Sequence, residues 1–91
     1  MDISGYVGAA VRALRERRGF SQEELAHRAD LDRTYVSGIE RNRRNPSLQS
    51  MQRIVVALDV GLDVLFVHAR KLAEQDLATR VRTPSSPRRT K

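Results

Sequence analysis

The residues able to do chemistry lie in one short stretch. Arg33, Thr34 and Ser37 place hydrogen-bonding side chains where few positions are apolar, and Asn42, Arg43 and Arg44 follow at once with further donors. A set of that kind recognises a partner through hydrogen bonds and charge rather than by making or breaking bonds. Neither histidine, His27 nor His68, stands at a spacing that suggests a triad, no glycine-rich phosphate loop occurs, and the carboxylates sit in helix-surface contexts. The absence of cysteine removes disulfides, thiolate metal sites and cysteine nucleophiles together. The two histidines lie far apart, so packing at a surface or interface is expected of them rather than metal binding. Neither an enzymatic activity nor a cofactor is expected.

The chain of 91 residues carries 17 basic and 11 acidic side chains, a formal charge of +6, which suits a polyanionic partner. The location of that charge matters more. Arg80, Arg82, Arg88, Arg89 and Lys91 fall in residues 80–91 with no acid, leaving 12 basic against 11 acidic residues in 1–79. Net charge alone therefore says little about the domain. No run approaches the roughly 20 apolar residues of a membrane span, and the N-terminus lacks a charged region followed by an apolar one, so a soluble, cytoplasmic protein is expected.

The elements that must hold the donors follow from periodicity. Val7, Ala10, Val11 and Leu14 mark the buried face of a first helix ending near Arg18-Gly19. Ser21 with Glu24 three residues on is a capping box that opens a short second helix over about 21–29. Asp30-Leu31-Asp32 breaks the chain, Asp30 tolerating the left-handed conformation and Asp32 able to cap the next helix. A third helix over about 33–41 commits only Val36 and Ile39 to the core, with Tyr35 partly so. After the polar run 42–46, Ser47 caps a fourth helix bearing Leu48, Met51, Ile54, Val55 and Leu58, ended by Gly61. Leu62, Leu65, Phe66, Ala69, Leu72, Ala73 and Leu77 recur in threes and fours, so a fifth helix reaches Ala78 or beyond. The chain thus divides into an all-α domain, residues 1–79, and a basic tail, residues 80–91, expected to be disordered.

Two short helices joined by a turn of about three residues form the helix-turn-helix arrangement, in which the second helix enters the major groove. Such a helix needs a thin buried stripe and outward hydrogen-bonding side chains, here Arg33, Thr34 and Ser37. Donors that hold phosphates must flank it, and Gln22, Asn42, Arg43, Arg44 and the amides at the helix start by Ser21 meet that need. Read alone, Arg41, Arg43 and Arg44 are equally an ordinary solvated loop.

At Arg15-Glu16-Arg17-Arg18-Gly19-Phe20-Ser21-Gln22-Glu23-Glu24-Leu25-Ala26 and Thr34-Tyr35-Val36-Ser37-Gly38-Ile39-Glu40 the chain resembles the Cro/C1-type, xenobiotic-response-element family of bacterial and phage repressors. The resemblance spans about residues 7–66 and includes the Asn-Pro-Ser entry to helix four and the closing Leu-Asp-Val-Leu-Phe. Asp32-Arg33-Thr34-Tyr35-Val36-Ser37 with Arg43-Arg44-Asn45 looks most like the small controller proteins of restriction-modification systems, although related regulators share these residues. The resemblance implies a five-helix, lambda-repressor-like fold. It implies a phosphate contact at Gln22, and base-edge contacts at Arg33, Thr34, Ser37 and the site of Gly38, while Ser21, Asn42, Arg43 and Arg44 remain phosphate donors on the physical reading above. Arg33 would be the best reader, since a guanidinium can bond guanine O6 and N7 together, worth roughly 1–3 kcal/mol of discrimination. Gly38 departs from the family, which often has a long polar side chain there: either one base contact is lost or the backbone approaches more closely. Asp30 stands where a glycine is common. The resemblance also implies an ion pair between Arg15 and Glu40, the plain alternative being an unpaired surface carboxylate.

Leu62, Leu65, Phe66, Ala69 and Leu72 exceed what four short helices need to cover. A symmetric homodimer through that stripe is expected, with recognition helices about 34 Å apart on a roughly palindromic operator. The alternative is packing of the helix on its own domain. The tail is either a solubilising end or an auxiliary DNA arm. The expected function is therefore a homodimeric, sequence-specific regulator on double-stranded DNA, with RNA polymerase as a further candidate partner. An antitoxin-type protein that captures a toxin and binds DNA only to regulate itself is the rival from another class. A membrane-surface or RNA-binding module fits less well, because the tail lacks aromatics.

Overall fold

A computed structural model describes residues 3–85, with side chains described through Thr79. Among the described residues there are five helices and no strand: α1 (Ser4–Arg17), α2 (Gln22–Ala29), α3 (Arg33–Glu40), α4 (Leu48–Leu58) and α5 (Leu62–Ser85). The apolar stripes converge as their periods require. Val11 of α1, Leu25 of α2, Val36 and Ile39 of α3, Ile54 and Leu58 of α4 and Leu65 of α5 are all but sealed from solvent. Each such side chain contributes roughly 1.5–3 kcal/mol of apolar burial. α5 lies along α1, while α2 is wedged between α3 and α4.

The turns explain the boundaries. Ser21 caps α2, its Oγ accepting from the Glu24 amide at 3.0 Å. The reciprocal half of the capping box is not made, because the Glu24 carboxylate accepts instead from Arg28 Nε at 2.6 Å, one turn further along. Asp30 closes α2 with φ 57°, in the left-handed region. Asp32 stands at the start of α3 without the side-chain cap expected of it. Ser47 does cap α4, accepting from the Ser50 amide at 3.0 Å. That helix ends not at Gly61 but at Asp59, whose φ of 59° lets its amide reach back to Val55 and Val56 carbonyls.

Three further expectations change. α1 begins one turn before Val7, at Ser4. α5 continues through Ser85, so residues 80–85 of the segment assigned to the tail are helical, and the expected disorder of 86–91 lies outside the described residues. Leu65 and Ala69, expected at a dimer interface, are wholly buried in the chain's own core. Leu62, Phe66 and Leu72 are half-buried and pack against that core. α5 packs along α1, and the centre of its stripe is used up in the chain's own core.

One position in α1 governs where the third helix sits. A Cβ on Gly8 would stand 2.0 Å from the Ile39 carbonyl oxygen, so only glycine allows the two backbones their observed approach.

Candidate nucleic-acid interface

Arg33 and Thr34 stand exposed at the start of α3, and Ser37 and Gly38 follow half-buried one turn on, so the four sites expected to face bases share the outward side of one helix. Only Val36 and Ile39 of α3 are buried. A helix committed to the core by so little projects far enough to enter a groove, provided something else fixes its direction.

An ion pair does that. Arg15 and Glu40 meet through two bonds, Nε to Oε2 at 2.7 Å and Nη2 to Oε1 at 3.0 Å. Their side chains are only 10% and 2% exposed. Arg15 Nη1 also donates to the Phe20 carbonyl at 2.7 Å, so one guanidinium joins α1, the turn before α2 and the end of α3. Hydrogen bonding to Glu40 outweighs burial and holds the Arg15 pKa above its ordinary value, fixing the charge. The expected pairing is thus present, and Glu40 is no surface carboxylate.

Gln22 is joined to this pair. Its Nε2 donates to Glu40 Oε1 at 3.0 Å, so the amide is tied into the ion pair at the first turn of α2 rather than standing free. Ser21 is occupied by its cap. Asn42, Arg43 and Arg44 are exposed in the loop after α3, and Asn42 takes a φ of 60° there. The amides of Arg43 and Arg44 both donate to the Gly38 carbonyl, at 2.8 and 3.2 Å, which folds this loop back over α3.

Tyr35, read from the sequence only as a partly apolar position, ties that loop to α4. Its hydroxyl accepts from the Ser47 amide at 3.3 Å, at the cap of α4. Hydrogen bonding from the Ser50 hydroxyl and then the Ser47 amide, with the nearby Arg44 charge, lowers its pKa below the ordinary 10.0 against the opposing effect of burial. The Arg44 guanidinium lies over its ring, 5.2 Å from the centroid. Phe20, before α2, is likewise approached by Arg28 at 4.5 Å and Arg18 at 5.5 Å. No sequence pattern distinguishes these arginines from solvated ones, because the contacts join separate elements.

A helix-turn-helix family profile matches residues 11–65, which covers the whole arrangement from mid-α1 to the start of α5. The chain belongs to the Cro/C1-type helix-turn-helix family. It is 42% identical over 60 residues to a Neisseria meningitidis hypothetical transcription factor, covering 66% of this chain and 57% of that protein. The chain spans about half the length of several of the relatives it matches. It is 41% identical over 71 residues to the control protein C.MunI of a Mycoplasma species, covering 77% of this chain and 96% of the relative. Among solved structures, the restriction-modification controller protein C.Esp1396I, a tetramer in complex with its natural 35 base-pair operator, superposes with a TM-score of 0.71 at 38% identity, covering 78% of this chain and 93% of that one. These relatives are regulators, and the antitoxin reading finds no support in them.

In this family member the sequence reading located the turn, α3 and the ion pair, but it missed Tyr35 and Gly8. Gly8 carries no signal in a single sequence, since its importance lies wholly in what stands opposite. Among the described residues, no helix is long and apolar enough to cross a membrane.

Proposed function

We propose that the protein is a homodimeric, sequence-specific operator-binding regulator, with α3 in the major groove of double-stranded DNA. The observation that carries this is α3 itself: Arg33 and Thr34 exposed on a helix that is held rigidly by Arg15–Glu40 yet barely committed to the core. Arg33, Thr34 and Ser37 read base edges, while Asn42 and Arg43 hold phosphates beside the groove. The first turn of α2, with Ser21 and Gln22, meets a phosphate through its amides. The likeness to C.MunI over nearly all of its length favours a controller protein of a restriction-modification system over other regulators of the family.

The dimer surface differs from the expected stripe, because Leu65 and Ala69 are spent internally. An apolar groove of 290 Å³ runs between Ile3, Pro46, Met51 and Phe66, and Val67, 39% exposed, stands beside it with Phe66 and Ile3 along a second groove. A second copy covers this face. That C.Esp1396I assembles as a tetramer on its operator supports self-association here.

Selection of bound sequences from a random DNA pool at about 0.15 M salt, where weak backbone attraction is screened, tests the reading. A palindromic motif with half-sites about one helical turn apart is the expected product. Absence of any enriched sequence would refute operator recognition. For the dimer, Val67→Glu should sediment as a folded monomer; a Val67→Glu protein that remains dimeric would place the interface elsewhere.

A further inference from the structure

Gly38 is an outward position on the recognition helix with no side chain to offer, and the structure fills it from outside. A Cβ built on Gly38 would stand 2.6 Å from Cγ of Arg44 and 3.4 Å from its Cβ, so the stem of Arg44 lies across the helix where the missing side chain would be. The position is held at both ends. The amides of Arg43 and Arg44 donate to the Gly38 carbonyl, which pins the loop backbone to the helix. The guanidinium rests over the Tyr35 ring at 5.2 Å, within cation–π range, and the Tyr35 hydroxyl is in turn anchored by the Ser47 amide. Gly38 lies one helical turn beyond Thr34 on the same face, so the Arg44 stem shares the side of α3 that carries Thr34.

We infer that Arg44 is a base reader supplied to the recognition surface by the loop, seated on Gly38 and oriented by Tyr35, and not one of the backbone-phosphate contacts. This rests on the proposed insertion of α3 in the major groove. A phosphate contact needs only charge and reach, and a solvated arginine supplies both. A planar guanidinium stacked on an aromatic ring, with its stem bedded on a glycine, has the preorganisation that two-point recognition of guanine O6 and N7 demands. The seat also accounts for the glycine: any other residue at position 38 pushes the Arg44 stem off the helix.

The test uses the full chain, first with wild type in the random-pool selection and then with five variants measured on the selected operator, on its single-base-pair variants and on a random duplex. Arg44→Lys keeps the charge and should still lose tenfold or more on the operator, roughly the discrimination of a lost bidentate contact, with binding to random DNA unchanged. Arg44→Ala should lose as much on the operator and relax preference at a base pair different from the one relaxed by Arg33→Ala. Gly38→Ala, with α-helical circular dichroism retained, should reproduce the Arg44→Ala loss, and Gly38→Ala/Arg44→Ala should add nothing to it, since both act through one side chain. Arg44→Lys behaving as wild type, or Arg44→Ala weakening both duplexes equally, would make Arg44 a phosphate contact and overturn the inference. Additive losses in the double variant would overturn the seat. If wild type itself enriches no sequence, the operator reading falls and this one with it, an outcome distinct from any pattern among the variants.

Discussion

Replacing Glu40 with alanine should destabilise the domain by roughly 3–5 kcal/mol, the cost of leaving one member of a buried ion pair without its partner. The structure argues for the buried rather than the surface value. The Glu40 side chain is 2% exposed and accepts from three donors, Arg15 Nε, Arg15 Nη2 and Gln22 Nε2. Removing it strands a guanidinium that is 10% exposed and keeps only the Phe20 carbonyl as partner. An exposed pair would be worth only about 0.2–1 kcal/mol. Set against a typical total of about 5–15 kcal/mol, the loss brings the domain near its unfolding threshold. Urea unfolding followed by far-ultraviolet circular dichroism measures it, and Arg15→Met/Glu40→Leu, which removes both charges, should recover most of the loss. The pair should not make stability depend on pH near neutrality from the arginine side. A basic group whose folded pKa is raised contributes fully below its unfolded value and loses that contribution only as pH rises through the folded one, and both lie far into alkali for Arg15. A Glu40→Ala variant within about 1 kcal/mol of wild type would refute the reasoning, because it would mean water reaches the pair as it does at a surface.

Gly8→Ala should push α1 and α3 apart, since its Cβ meets the Ile39 carbonyl at 2.0 Å, and should lower stability by about 1–3 kcal/mol in the same unfolding assay despite alanine's better helix propensity. Arg33→Ala should weaken the selected operator by roughly 1–3 kcal/mol with little effect on random DNA, whereas Arg43→Ala should weaken both and reduce the slope of affinity against salt, as fluorescence anisotropy titrations at several salt concentrations would show. Tyr35 should titrate below 10.0 in an ultraviolet phenolate titration, identified by its loss in Tyr35→Phe. With the folded pKa lowered, its contribution to stability is present above the unfolded value and gone once pH has fallen below the folded one.

What could be read from one chain was whatever depends on neighbours in sequence. The 3.6-residue spacing of Val7, Ala10, Val11 and Leu14, the caps at Ser21 and Ser47, and the left-handed tolerance of Asp30 are local energetics, and they placed the early helices and the recognition turn. The family pattern added the Arg15–Glu40 pair, which spacing alone cannot show across 25 residues. The α5 stripe marks the limit. Apolar spacing says that Leu62, Leu65, Phe66, Ala69 and Leu72 seek cover, but not whether it comes from this chain or another copy, because burial lowers free energy alike in both cases. Tertiary packing decided it: Leu65 and Ala69 are buried in this chain's own core, leaving Val64 and Val67 outside. It decided the recognition surface in the same way. The sequence shows a glycine at 38 and arginines at 43 and 44; only the folding back of the loop onto the Gly38 carbonyl lays Arg44 along the helix and over Tyr35. Such contacts join segments that are independent until the core closes, so their energies exist only in the assembled fold.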